Sequence, residues 1–423
     1  AFQSREAVNP FQNAMPGQVQ AAMDRFAVLS GRRYKLYDYE GHPEAERVLV
    51  LMGSGAETAA ATAQALIAAG ERVGVLKVRL FRPLAADTLV AALPPSTRRL
   101  AVLDRCKEPG SGGEPLYLDV VAAIAEHWPQ RTDAADGSLP LVVGGRYGLA
   151  SREFTPAMAR VVFDNLATER PRNHFSVGID DDVTHLSLPV QADWTISPGG
   201  DCFEALFYGL GSDGTVGANK NTIKIIGEAT GLHCQAYFVY DSKKSGSTTV
   251  SHLRFGRAPI RAPYLIQRAQ LVACHQWDFL SQFDLLAQAA PGATLLLNSP
   301  WPAERCWEQL PQRVQEQIRR LDLRVFAIDA AAIAEAQGLG RRINTVMQTC
   351  FFALAEVMPM AEAMTAMREA IQHSYGRKGE AVVNANLAVL EGALAGLKEV
   401  LISAEAGSET MTPLSTPVAM AQA

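Results

Sequence analysis

Apolar and polar positions in this chain alternate between short unbroken apolar runs and longer stretches with helical spacing. Arg47–Met52 (RVLVLM) is the first such run, followed by Val73–Val78, Leu100–Leu103 and Leu139–Val143. Unbroken runs of this length are the pattern of strands buried on both faces. Helical spacing separates them at Thr58–Ala69, Ala85–Ala92 and Leu116–Glu126. Strands alternating with helices predict a parallel, doubly wound sheet.

A polar bridge, Arg170–Ser197, leads to a second α/β unit. Its predicted strands are Phe203–Tyr208, Ala236–Tyr240, Leu271–His275, Ala293–Leu297 and Leu323–Ile328. Helices fit at Thr215–Thr230, Glu308–Arg320 and Ala330–Ala336, and then at Val346–Val357, Ala361–His373 and Gly379–Leu397. Residues 1–45 carry Pro10, Pro16 and Pro43 and read as a connector, with a short amphipathic helix over Gln18–Leu29. The segment 399–423 is rich in Ser, Thr, Pro and Ala and is expected to be a disordered tail or linker. The expected domains are therefore 46–198 and 199–398.

Two glycine-rich, lysine-bearing loops stand out in the second unit. The first, GLGSDGTVGANKN (Gly209–Asn221), lies between a strand run and a helix run. Its glycines, Gly211 among them, let backbone N–H groups approach a phosphate, and the following helix adds its positive end. The second, YDSKKSGSTTVSHLRFG (Tyr240–Gly256), follows another strand run and pairs Lys243 and Lys244 with small hydroxyl residues. Two such loops on adjacent strands would meet at one sheet edge, where open α/β sheets bind ligands. Gly209, Gly211 and Gly214 also fit GxGxxG spacing, so a dinucleotide site competes. Asp241 running into a lysine pair suits phosphate better than a ribose diol, and no GK[ST] follows the glycines to make a Walker loop. A tight turn and a solvated lysine pair with no ligand remain the bland alternative. Within TTVSHLRFG, Thr249, Ser251 and Leu253 fall on one strand face and Val250, His252 and Arg254 on the other. His252 reads as a structural donor, with a base as the sharper alternative.

Charge sharpens this picture. The chain carries a net charge of -5, which argues against a general nucleic-acid binder. Between Gly209 and Arg261, however, seven Lys/Arg face three acids. A local basic excess in an acidic chain suits a small polyanion rather than a polymer. The six cysteines form no CxxC and no grouping with histidine, so an iron–sulfur or zinc site within the chain is not expected. Scattered cysteines without a signal peptide fit a reducing cytoplasm, and no apolar run reaches the ~20 residues of a membrane span. The chain opens on Ala1 in mid-phrase and is expected to be a piece of a longer polypeptide.

Three further motifs read as structural. Gly53-Ser54-Gly55 precedes a helix whose first turn carries Glu57, which disfavours a bound phosphate. Cys106, in the loop DRCKEPGSGGEP (Asp104–Pro115), reads as a bystander despite Arg105 and Lys107. The acids of GIDDDVTHLSLP (Gly178–Pro189) read as a solvated or capping loop rather than a metal site.

Long phrases of the chain resemble one family, the single-chain pyruvate:ferredoxin (flavodoxin) oxidoreductases that use thiamine diphosphate. They include GRRYKLYDYEGHPEAERVLVLMGSGAET (31–58), LDRCKEPGSGGEPLYLDV (103–120), GGRYGLASREFTP (144–156) and FSVGIDDDVTHLSLP (175–189). The two central loops, CHQWDFLSQFDLL (274–286), INTVMQTCFF (343–352) and SYGRKGEAVVNAN (374–386) extend the likeness, which runs nearly continuously from residue 4 to about 395. Cys106 departs from it, where the family has Thr.

The resemblance implies a transketolase C-terminal-like domain at 46–198, after a connector from a pyrimidine-binding domain, and a γ-subunit-type domain at 199–398. It implies that the whole enzyme converts pyruvate and coenzyme A to acetyl-CoA and CO2 and passes electrons to ferredoxin or flavodoxin. The chain lacks a GDG…N diphosphate motif, a pyrimidine-domain glutamate motif and a CxxCxxCxxxCP signature. Thiamine diphosphate, Mg2+ and the 4Fe-4S clusters are therefore expected outside it, and no catalytic residue is expected within it. Its implied share is to bind coenzyme A and to scaffold a homodimer together with the remaining domains of the polypeptide. On that reading Lys243, Lys244, Ser242, Ser245, Ser247 and Gly246 contact the phosphates, Asn219, Lys220 and Asn221 line the same cleft or face the thiazolium site, and Gly211 and Asp213 are further cofactor-binding residues. A nucleotide-binding module without redox chemistry, or a purely structural assembly domain, would carry the same loops.

Overall fold

The computed structural model describes residues 1–134, 137–191, 193–197, 201–211, 213–240, 248–340 and 342–403. It divides into two compact units, Ala1–Ile196 with Arg261–Tyr264, and Ser197–Ile260 with Leu265–Ala423.

The first unit contains α1 (Phe2–Glu6), α2 (Asn9–Ser30), β1 (Tyr37–Gly41), β2 (Arg47–Met52), α3 (Ser54–Ala68) and β3 (Val73–Val78). It continues through α4 (Ala86–Ala91), β4 (Arg99–Asp104), α5 (Pro115–His127), β5 (Leu141–Tyr147), α6 (Pro156–Ala167) and β6 (Phe175–Val177). The strand order is β1-β3-β2-β4-β5-β6, parallel throughout except for β1. Alternate residues of each strand serve opposite faces, so the runs are apolar at nearly every position. Leu49 and Leu51 pack with α3 and α6, while Val48 and Val50 pack with α4 and α5. The expected connector does more than connect. It is helical through α1 and α2, supplies β1, and buries Leu36, Tyr37 and Ala45 with the second face.

In the second unit come β7 (Phe203–Leu210), α7 (Thr215–Thr230), β8 (His233–Tyr240), β9 (Thr248–Gly256), β10 (Ala269–Cys274), α8 (Phe279–Gln282) and β11 (Ala289–Asn298). Then follow α9 (Ala303–Gln309), α10 (Gln312–Leu321), β12 (Arg324–Ile328), α11 (Ala330–Ala336), α12 (Asn344–Ala355), α13 (Met360–Tyr375), α14 (Glu380–Gly396) and β13 (Lys398–Glu399). The helix expected over Glu308–Arg320 is two helices, because Pro311 between them has no N–H to continue the first. The strand order is β13-β12-β11-β10-β7-β9-β8. β7, β10, β11 and β12 are parallel, and β9 is antiparallel to both neighbours. One face is covered by α7 and α11 to α14, the other by α8 to α10.

Two expectations are corrected. The strands that carry the glycine-rich loops are not neighbours, because β9 lies between β7 and β8. The expected tail is structured at its start: Lys398–Glu399 pairs with β12 and Val400 donates its N–H to the Val325 carbonyl. Residues 404–423 lie outside the described residues. No helix among the described residues is long and apolar enough to cross a membrane.

The second sheet contains a buried ion pair. Arg254 Nε on β9 donates to Glu204 Oε1 on β7 at 2.6 Å, both side chains being under a tenth exposed. Burial raises the Glu204 carboxyl above its ordinary range, and Arg254 opposes that shift. Removing one partner strands the other charge in the core, so Glu204→Ala is expected to destabilise the chain by about 3–5 kcal/mol. Chemical denaturation checks this, and a loss below about 1 kcal/mol would contradict it.

Candidate functional site

An open parallel sheet presents a crevice where successive crossovers leave one strand in opposite directions. In the first unit that point lies between β2 and β4, and it is filled. Gly55 in the first turn of α3 has no side chain, and the Tyr147 hydroxyl stands 2.6 Å from where its Cβ would be. A cavity of about 550 Å³ lies beside it, lined by Gly53, Ser54, Glu57, Lys77 and Arg79. Its cations are already neutralised. Lys77 Nζ lies 2.8 Å from Glu40 and 2.9 Å from Glu57, and Arg79 pairs with Asp38 at 2.6 Å. The glycine turn at 53–55 is thus a packing device rather than an anion cradle. Burial and the nearby carboxylates of Asp104, Glu108 and Glu114 push the Cys106 thiol up, opposite to an activated thiol. In the loop at 178–189, Asp181 accepts the N–H groups of Val183, Thr184 and Leu186, so it is a cap. The Thr184 hydroxyl, which also donates to it, and these N–H groups hold its carboxyl well below the usual range.

In the second unit the corresponding point lies between β7 and β10. The loop after β7 and the N-terminal turn of α7 sit at its mouth. Gly209 lets α7 come close: Thr215 Oγ1 stands 2.5 Å from where a Gly209 Cβ would be. Gly214, the residue before the helix, has φ of 88°, a backbone region that glycine adopts without strain. A Cβ there would lie 3.2 Å from Asn344, the first residue of α12. Two helix N-termini therefore converge on this loop, and each carries a partial positive charge and outward N–H groups. Gly217 leaves open space in the first turn of α7.

The predicted residues of the first loop separate. Asn219 is 3% exposed and its Nδ2 has no hydrogen-bond partner among the described residues. Lys220 is exposed, with its ammonium 5.5 Å from the Phe238 ring centroid. Asn221 lines a groove with Glu369, His373 and Ser374 of α13, so it does not share the cleft proposed for Asn219. Gly211 is exposed at the loop. Asp213 is bonded within its own loop. Its Oδ2 accepts the Leu210 N–H at 2.7 Å and its Oδ1 the Thr215 N–H at 2.9 Å, while Gln276 Nε2 lies 3.4 Å from Oδ2. It closes the loop. Ser242, Lys243, Lys244, Ser245, Gly246 and Ser247 lie outside the described residues. Their anchors are placed. Tyr240 pairs with Thr249 and Thr248 with Leu210, so the second loop leaves the sheet on the same edge as the first.

Sequence reasoning passed over His275 and Asn344. His275 follows β10 and is 2% exposed, and its Nδ1 lies 2.7 Å from Thr215 Oγ1. Burial pushes its pKa down to about 4, against a smaller upward pull from Asp213. His252 is buried on the opposite face. Its Nδ1 accepts the Ile266 N–H at 3.2 Å, so it is a structural acceptor rather than a donor or a base. Burial, helped by Arg254, lowers its pKa to about 3. No group of three or more His, Cys, Asp or Glu among the described residues could hold a metal ion.

Comparison with known proteins follows the same division. Residues 204–396 match the family described as Pyruvate ferredoxin/flavodoxin oxidoreductase, and residues 45–142 match Pyruvate:ferredoxin oxidoreductase core domain II. The chain belongs to the pyruvate:ferredoxin (flavodoxin) oxidoreductase family. It is 55% identical to the pyruvate-flavodoxin oxidoreductase of Rhodospirillum rubrum, over 98% of this chain and 34% of that protein. It is 51% identical to the pyruvate:ferredoxin oxidoreductase of Moorella thermoacetica, over 94% of this chain and 33% of that protein. The pyruvate dehydrogenase (NADP+) of Cryptosporidium parvum is 47% identical over 94% of this chain and 20% of its own length. The chain thus spans about a third or less of the length of these curated relatives. Among solved structures, a pyruvate oxidoreductase subunit of Thermotoga maritima gives a TM-score of 0.37 at 17% identity, covering 47% of this chain and 97% of that one. That likeness is too low to argue from.

Both histidines are neutral in the folded chain at pH 7, whereas an unfolded histidine titrates near 6.5. As pH falls below 6.5 the unfolded state takes up protons that the folded state refuses, so stability is lost with falling pH. Each histidine contributes a slope of about 1.4 kcal/mol per pH unit down towards its folded value. Melting followed from pH 7 to 5 is expected to show a shallower decline in His252→Asn/His275→Asn than in the native chain. Parallel declines would contradict the buried, neutral assignment.

Proposed function

We propose that this chain is the coenzyme A-binding part of a pyruvate:ferredoxin or flavodoxin oxidoreductase. The observation that carries the reading is the shared edge of the second sheet. The register Leu210↔Thr248 and Tyr240↔Thr249 brings the lysine-bearing loop and the N-terminus of α7 out together. Coenzyme A carries about four negative charges near neutral pH on its pyrophosphate and 3′-phosphate. Lys243 and Lys244 meet them as ammonium point charges, and the α7 N-terminus and Gly246 add backbone donors. Asn219 Nδ2 supplies a further donor that the protein itself leaves unused among the described residues.

On this reading the whole enzyme oxidatively decarboxylates pyruvate and forms acetyl-CoA. Thiamine diphosphate with Mg2+ and the 4Fe-4S clusters supply the carbon and electron chemistry when bound, and they belong to other domains of the same polypeptide. The fragment alone is inactive and also forms part of a homodimer scaffold. The named relatives differ in acceptor (flavodoxin, ferredoxin, NADP+) while resembling this chain at 47–55% identity. Acceptor choice is therefore assigned outside this segment.

A nucleotide-binding module without redox chemistry is the second reading, favoured by the GxGxxG spacing of Gly209, Gly211 and Gly214. Calorimetric titration with coenzyme A, ADP and NAD separates the two. Coenzyme A is expected to bind more tightly than either, with affinity that falls as salt rises. Each charged hydrogen bond is worth about 1.5–3 kcal/mol, so Lys243→Ala/Lys244→Ala is expected to weaken binding at least tenfold. Preference for ADP or NAD, or unchanged affinity in the double variant, would overturn the proposal.

A further inference from the structure

The half of α7 nearest the ligand edge lies on the sheet mainly through polar groups, with Ala218 the one buried apolar residue among them. Thr215, Asn219 and Thr222 are buried on its inner side, and Ile225 and Ile226 take over only afterwards. Opposite them Thr249 and Ser251 lie on one face of β9, fully buried. Their hydroxyl oxygens have no hydrogen-bond partner among the described residues, and neither do Asn219 Nδ2 and His275 Nε2. Buried polar atoms left in this state are costly, so such an interface holds α7 less firmly than an apolar one. Something must fix the first turn of the helix.

We propose that His275 is the positioning residue that does so, an inference that rests on the reading of this edge as the polyanion site. Its backbone is clamped on both sides. The His275 N–H donates to the Tyr208 carbonyl at 2.9 Å, and Asn298 Nδ2 donates to the His275 carbonyl at 3.0 Å. Asn298 Oδ1 in turn accepts the Ala330 N–H at 3.0 Å. From this fixed point the imidazole Nδ1 reaches Thr215 Oγ1 at 2.7 Å, the first residue of α7. The next residue, Gln276, reaches Asp213 at 3.4 Å. Two consecutive residues at the end of β10 therefore hold both ends of the turn that starts the helix. His275 touches no ligand in this arrangement; it sets where the α7 N–H groups stand.

The test uses hydrogen exchange of the full chain, with and without coenzyme A. Thr215→Val keeps the shape of the side chain and removes the hydroxyl. It is expected to speed exchange of the Leu210 and Thr215 amides, both bonded to Asp213, by about three- to tenfold. The Val272 amide in the middle of β10 is expected to keep its protection. Thr215→Ser restores the hydroxyl and most of the protection. His275→Asn keeps a polar atom near the Nδ1 position and does likewise, whereas His275→Leu does not. Coenzyme A affinity is expected to fall about three- to tenfold in Thr215→Val and His275→Leu, and no further when the two are combined. Wild-type amide protection at Leu210 and Thr215 in Thr215→Val overturns the assignment, as does a loss no greater than that at Val272. Both outcomes are read in the free chain, so they hold even if the native chain ignores coenzyme A, which would count against the proposed function alone.

Discussion

The mouth between β7 and β10 in the second unit depends on how closely the first turn of α7 lies on the end of β7. Only a residue without a Cβ at position 209 leaves Thr215 room to enter, and Thr215 is where Asp213 and His275 both take hold. A larger side chain there would lift the helix off the strand, and the turn through Gly214 would open with it. The neighbouring Asn344 marks the second helix terminus brought to the same place. The N–H groups at this end of the sheet are therefore placed by backbone geometry, with the Asp213 carboxylate closing the turn among them.

The same sheet logic gives the opposite result in the first unit. There too a strand ends in glycine and a helix begins. But the room left by Gly55 is taken by Tyr147, and Lys77 is consumed by two carboxylates. The difference is which neighbour fills the space that glycine vacates. In the first unit a ring from β5 fills it and closes the crevice. In the second a helix residue fills it and turns N–H groups outward. The carboxylate near each turn follows suit: Glu57 pairs with a lysine, whereas Asp213 caps backbone N–H groups.

Much of the fold was legible because central parallel strands are apolar on both faces at nearly every position. Arg47–Met52 and Val73–Val78 stand in the structure with the ends that the sequence suggests, and α7 and α11 do so among the helices. What escaped lacked that signature. β1 reads YDYEG, a polar edge strand, and it pairs antiparallel at the end of the sheet where one edge meets solvent. α6 was signalled by Thr155 and Pro156, a cap followed by a proline suited to the first helical position, yet it was passed over. β9 was readable as a strand within TTVSHLRFG, but not as the strand that separates β7 from β8, and its Thr249, Ser251, His252 and Arg254 are all buried. At the candidate site, glycine spacing marked the turn between β7 and α7. It did not signal that the Asp213 carboxylate accepts the Leu210 and Thr215 N–H groups. Nor did three consecutive residues, Asn219, Lys220 and Asn221, reveal that a helix sends them in three directions. His275 carries no local signal at all, because its partner Thr215 lies 60 positions earlier.

The most direct test of the account is lysine acylation read by mass spectrometry on the full chain, with and without saturating coenzyme A. A polyanion seated at the second sheet's edge shields the ammonium groups beside it and leaves remote ones reactive. The account predicts protection of Lys243 and Lys244, with unchanged labelling of Lys107 and Lys224. Protection at Lys107 while Lys243 and Lys244 label as before would move the polyanion to the first unit and contradict it.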